Sequence, residues 1–130
     1  MVSMKEVLAI IRMNMVNATK TALANAGYPA FSCRKCLGRG KKSVDMSMMQ
    51  SLLEAGVPPT NSIGEHMTES GRLIAKRLFT IIVDDNQVDE VVAIIIDANQ
   101  TGNPGDGKIF ILPISEAYTV RTGESTKDAY

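Results

Sequence analysis

The sequence predicts an α+β fold in which two βαβ halves share one antiparallel sheet, and three observations carry that prediction. Two apolar, β-branched runs of strand length, Val7–Ile11 and Arg77–Val83, are each followed by a helix-period stripe with a capping residue at its start. Each helical stripe leads into a further strand-like run, Ala30–Leu37 in the first half and Lys108–Ile114 in the second. Between the halves, the stretch from Gly38 to about Lys76 is punctuated by Gly38, Gly40, Gly56, Pro58, Pro59, Gly64 and Gly71 and holds no strand-length run.

Each element has its own local reason. Val7-Leu8-Ala9-Ile10-Ile11 is short and apolar throughout, as a buried strand requires. Asn14 can cap a helix through about Ala26, with Met15, Thr19, Leu23 and Ala26 on one stripe and Gly27 as its stop. Pro29 turns the chain into the strand Ala30–Leu37. After the strand Arg77–Val83, residues Asp84, Asp85 and Asn86 supply a cap and acidic charge for the positive end of a helix that runs to about Asn99. Val88, Val91, Val92 and Ile95 face inward from that helix. Thr101 to Lys108 forms a glycine loop, Lys108 to Ile114 a strand around Ile109-Phe110-Ile111-Leu112, and Tyr118 to Arg121 a last short strand. Residues 122–130 read as a C-terminal tail. The order matches a ferredoxin-like βαββαβ arrangement with both helices on one sheet face. Val7, Ile82 and Ile111 are too apolar to line a bare second face in water, so an oligomer is expected.

The bulk properties exclude several classes of function. A chain of 130 residues fits one domain and buries about two-thirds of its unfolded surface, enough for a core without metal or disulfide. Fourteen cations balance fourteen acids, which argues against a nucleic-acid coat or a membrane-surface protein. The longest apolar run, Val91–Ile96, falls far short of the ~20 residues that span a bilayer, so no membrane insertion is expected. Met1–Glu6 lacks the basic start of a signal peptide, and Cys33 and Cys36 read as reduced, buried structural thiols of a cytoplasmic protein. As a C-x-x-C on a strand, the two cysteines point to opposite faces, a poor start for a zinc or redox site. His66 is the single histidine and no nucleophile–base pair can be built without it, so catalysis finds no support.

Two glycine turns carry the chemistry. Thr101-Gly102-Asn103-Pro104-Gly105-Asp106-Gly107-Lys108 satisfies the G-x-x-x-x-G-K spacing of a P-loop, but Ile109 replaces the metal-binding Ser/Thr and a strand follows instead of a helix. It is therefore no P-loop, yet its glycines can bring backbone N–H groups close to an anion beside Lys108. A plain turn between helix and strand is the alternative. The second turn, Leu37-Gly38-Arg39-Gly40-Lys41-Lys42, sits among five cations, Arg34, Lys35, Arg39, Lys41 and Lys42, with no acid between them. A solvated basic edge is its bland explanation. In a ferredoxin-like sheet the two turns can converge on one polyanion, which points to a nucleotide phosphate chain.

Gly38-Arg39-Gly40-Lys41-Lys42, Thr101-Gly102-Asn103-Pro104-Gly105-Asp106-Gly107-Lys108-Ile109-Phe110 and Val120-Arg121-Thr122-Gly123-Glu124 resemble the nitrogen-regulatory PII signalling family, from about Met4 to Glu124. The loop is most similar to the nitrogenase-associated archaeal branch, second member of its pair. The resemblance implies a trimer of ferredoxin-like subunits, homomeric or mixed with a sibling PII subunit, which binds ATP or ADP between subunits. It places Ile10 and Ser32 near the adenosine, and Gly38, Gly40, Lys41 and Lys42 on the phosphate side. Gly105, Asp106, Gly107 and Lys108 would bind phosphates, and Arg121 would reach the nucleotide from the neighbouring subunit. It also implies sensing of 2-oxoglutarate through magnesium and ATP, and control of nitrogenase by direct binding of the long loop.

Three features depart from the family pattern. Lys42 stands where a glutamine helps hold the metal, and a cation there repels magnesium while still able to pair with a carboxylate or phosphate. Thr119 replaces one of two nucleotide-facing arginines, and the segment 40–76 has no tyrosine to modify. Within that segment Asp45 can cap a short helix whose Met46, Met49, Leu52 and Leu53 form an adaptable stripe for a partner. Folding of the stripe onto its own subunit is the alternative. The other readings are a PII regulator of an ammonium transporter or glutamine synthetase, an RNA-binding ferredoxin-like module, and a nucleotide hydrolase. Phe79 and Phe110 sit in aliphatic runs without the aromatic signature an RNA-binding sheet needs.

Overall fold

The computed structural model describes residues 3–39 and 73–129. Strand β1 spans Met4–Ile11, helix α1 Val16–Asn25, β2 Ser32–Gly38 and β3 Ile74–Asp84. Helix α2 spans Val88–Asn99, β4 Lys108–Pro113, β5 Ala117–Thr119 and β6 Glu124–Thr126. The first four strands form one sheet in the order β2-β3-β1-β4, and β1 runs antiparallel to both neighbours. This is the ferredoxin-like order, with the two halves interleaved. The chain divides into two compact units, Met1–Cys36 with Lys76–Tyr130, and Leu37–Ala75. Of the second unit, only the end of β2, Arg39, Leu73 and the first two residues of β3 lie among the described residues. The Met46–Leu53 stripe, His66, Gly40, Lys41 and Lys42 lie outside them.

Alternation along β1 decides which residues meet the helices. Val7, Ala9 and Ile11 are buried with Phe79, Ile81 and Val83 of β3 against Leu23 of α1 and Val91 and Ile95 of α2. Phe31 stacks on Phe79 with ring centroids 4.7 Å apart, closing the core near β2. The opposite face carries Leu8 across from Thr80 and Phe110, and Ile10 across from Leu78 and Lys108. Glu6 on that face sits between Ile82 and Leu112.

Of the three residues expected on the bare face, only Ile82 is there. Val7 pairs with Ile81 and Ile111, so all three share the helix-covered face. A strand's period of two makes facing a matter of parity, which apolarity alone does not reveal. The bare face is nonetheless apolar, with Phe110 45% and Leu112 39% exposed.

The helix ends also refine the expectation. Asn14 does not cap α1. The chain stays extended at Arg12, makes one 3-10 turn over Met13–Met15 and enters α1 at Val16 without a side-chain cap. Gly27 stops the helix as predicted, at φ +93°, with Gly27 N donating to Ala24 O and Tyr28 N to Leu23 O. Before α2, a 3-10 turn over Asp85–Gln87 follows Asp84, whose N–H donates to Gln87 Oε1 at 3.0 Å. Cys33 is exposed and Cys36 half-buried, both free, so neither is the buried thiol expected; β2 is an edge strand with few covered residues. Residues 117–126 form a hairpin, so the strand expected over Tyr118–Arg121 lies instead at Ala117–Thr119, and Glu124–Thr126 within the tail is a second strand. Val120 to Gly123 are its turn, with Gly123 at φ +72° and its N–H on Thr119 O, and β6 pairs back on β5.

Candidate functional site

The glycine loop leaves the C-terminus of α2 and enters β4, so no helix N-terminus stands behind it, in keeping with its exclusion as a P-loop. Asp106 organises it from within. The Asp106 carboxylate accepts the N–H of Thr101 at 2.7 Å and of Gly102 at 2.9 Å, along with the Thr101 hydroxyl. A fourth donor arrives from outside the loop, Arg12 Nη1 at 2.6 Å. The Thr101 hydroxyl and N–H, followed by Arg12 and Gly102 N–H, hold the Asp106 carboxyl well below the usual carboxylate range. Such a side chain stays ionised and turned inward, which leaves the Asp106 backbone, not its carboxylate, for any anion.

Two cations strap the loop to the sheet. Arg12 Nη2 donates to Pro104 O at 3.1 Å, and Lys76 Nζ, near the start of β3, donates to Gly105 O at 2.8 Å. Gly102, Gly105 and Gly107 all have positive φ, at 85°, 97° and 116°. At Gly107 no side chain fits without a shift of the backbone, because an added Cβ would lie 1.9 Å from the Ile10 carbonyl oxygen. At Gly105 a Cβ would meet the tips of Arg12 and Lys76 at 3.3 and 3.6 Å, so two cations converge on that exposed backbone.

Lys108 opens β4 directly across from Ile10, which brings Ile10 and Gly105–Lys108 into one place. A groove of about 450 Å³ starts at Asp106, Gly107 and Lys108 and runs between α2 and β4 over Ile11, Ile95 and Ile111. The other expected site residues stand apart in the chain. Ser32 begins β2 at the far edge of the sheet, Gly38 ends that strand, and Arg121 is exposed in the hairpin turn. Gly40, Lys41 and Lys42, and with them the convergence of the two turns, lie outside the described residues.

Arg12 and Lys76 were absent from the motif-based reading. Their signal lay in topology: β1 and β3 are adjacent, and the cation just beyond Ile10 must end beside whatever precedes Lys108. Among the described residues no three His, Cys, Asp or Glu side chains are grouped to hold a metal, and no helix is long and apolar enough to cross a membrane.

Comparison with known proteins places this arrangement in a family. The family described as nitrogen regulatory protein P-II matches residues 4–124. The chain is 44% identical over 128 residues to the nitrogen fixation nifHD region GlnB-like protein 2 of Methanothermococcus thermolithotrophicus, covering 94% of both chains. It is 42% identical over 122 residues to GlnB-like protein 1 of the same organism, covering 94% of this chain and 98% of the relative. Its fold is similar to that of Arabidopsis thaliana PII bound to citrate, with a TM-score of 0.68 and 27% identity over 98% of this chain and 89% of that one. A ferredoxin-like sheet, a glycine loop locked by its own aspartate and a match along nearly the whole chain thus lead to one conclusion, that this chain belongs to the nitrogen regulatory P-II family of signalling proteins, which are not enzymes.

Proposed function

We propose that the chain acts as a trimeric cytoplasmic signalling protein that binds ATP or ADP between subunits, senses 2-oxoglutarate and regulates nitrogen fixation by binding nitrogenase directly. The observation that carries this reading is the glycine loop. Its exposed Gly105 and Gly107 backbone, beside Arg12, Lys76 and Lys108, has the shape and charge to take a phosphate chain. On this reading Ile10 and Ser32 contact the adenosine, Gly38, Gly40, Lys41 and Lys42 complete the phosphate side, and Arg121 arrives from the next subunit. The whole chain, 1–130, serves as one domain, with 38–76 as the segment that meets effectors and the target.

The bare apolar face of Leu8, Ile10, Leu78, Phe110 and Leu112 supports assembly. The nifHD-region names of the relatives support the link to nitrogen fixation. Signalling works by differential affinity, with effectors favouring one conformation of the 38–76 segment and the target another.

Calorimetry with ATP, ADP and ATP plus 2-oxoglutarate, each with and without magnesium, tests the proposal. ATP and ADP bind in the expected result. Because Lys42 carries a cation where the family holds a metal ligand, magnesium adds little to 2-oxoglutarate binding unless a sibling subunit supplies the site. A chain that binds neither nucleotide does not fit this function.

A further inference from the structure

We propose that Arg12 is the positioning residue of the glycine loop, holding it in its phosphate-binding shape through Asp106. Asp106 ties the loop to itself at Thr101 and Gly102. Those bonds join residues at most five apart, so they do not set the loop's place in the fold, and they open more readily when the carboxylate that accepts them has no anchor outside the loop. Arg12 supplies the place. It lies one residue beyond β1, and its planar fork reaches Asp106 Oδ1 with one nitrogen and Pro104 O with the other.

The pair is partly shielded, with side-chain exposures of 28% for Arg12 and 23% for Asp106, so water screens it less than an open surface pair. Gly107, seated against Ile10 O, fixes the loop's exit from the same strand. Between these two anchors, one a side chain just after β1 and the other its backbone, Gly105 and Asp106 have little room to move. The binding cost of ordering them is met before a ligand arrives.

The inference rests on the nucleotide-binding reading, and its test separates the two. Hydrogen exchange at the Thr101 and Gly102 amides is measured without nucleotide, and ATP affinity by calorimetry, in the wild type, Arg12→Met, Arg12→Lys, Asp106→Asn and the Arg12→Met/Asp106→Asn double variant. Loss of a charge-assisted contact predicts about tenfold weaker ATP binding in Arg12→Met, with faster exchange at both amides. Arg12→Lys keeps the charge but cannot span both acceptors, so it falls between. The double variant binds ATP no worse than Asp106→Asn, because both changes break one linkage.

Unchanged exchange or unchanged ATP affinity in Arg12→Met overturns the proposal. So do losses that multiply in the double variant, since Arg12 would then be touching the nucleotide itself. If the wild type binds no nucleotide, the proposed function and the loop's phosphate role fail together, whereas faster exchange in Arg12→Met still places Arg12 as the residue that fixes the loop.

Discussion

An alanine at Gly107 would set its Cβ 1.9 Å from the Ile10 carbonyl oxygen on a backbone at φ +116°. Either β1 or the loop must shift, and the strained φ adds its own cost. We expect Gly107→Ala to lose about 3 kcal/mol in denaturant unfolding. Gly102 also has a positive φ, +85°, but nothing lies within 4 Å of an added Cβ. Gly102→Ala should therefore lose only about 1 kcal/mol, the conformational part alone. Equal losses at the two positions would mean that the contact with β1 does not constrain the loop. Both glycines were singled out by spacing, but only the approach of β1 makes them unequal.

At the scale of elements, α2 is held by what it buries and by one phenol. Ile95 is 1% exposed in the core while its neighbour Ile96 is 45% exposed. Ile95→Ala should cost about 3 kcal/mol and Ile96→Ala under about 1 kcal/mol, measured as shifts in the unfolding midpoint at constant slope. Tyr28, just after α1, donates to Glu90 of α2 at 2.6 Å. That bond, then burial and the Glu90 charge, push the Tyr28 pKa up from 10.0 to about 12. The folded pKa lies above the unfolded one, so the contact's stabilisation is whole below pH 10 and is lost as pH rises through about 12. Ultraviolet titration should show Tyr28 as a late phenol, moving back toward 10 in Glu90→Gln. A Tyr28 that titrates normally in the wild type would contradict the pairing.

At the scale of the molecule, the sheet presents a second face that neither described helix, α1 or α2, covers. Phe110 at 45% exposure and Leu112 at 39% stand on it beside Leu8 and Ile10. We expect Phe110→Asp to turn the proposed trimer into monomers in analytical ultracentrifugation. Nucleotide binding should be lost with it, because Arg121 belongs to the neighbouring subunit in the proposed site. Monomers that still bind ATP at full strength would place the whole site within one chain.

Element type and order were legible in the sequence, because a run such as Val7–Ile11 and a stripe such as Val88–Ile95 each declare their period locally. The glycine loop was legible too, since few residues other than glycine tolerate positive φ and the spacing of Gly102, Gly105 and Gly107 carries that requirement. Facing was not. Val7 and Ile111 share the helix side because of strand register, a pairing between residues 104 positions apart that no local pattern encodes. Nor was the hairpin at 117–126, whose three-residue strands are too short to show a period. That the carboxylate of the loop's aspartate is an internal anchor was not legible either, because Arg12, 94 residues away in sequence, meets it only once β1 lies beside β4. The sequence by itself thus determined the elements and the family, both written in local spacing. Only the tertiary structure decided which groups meet at the glycine loop, because contacts between distant residues depend on register and strand order.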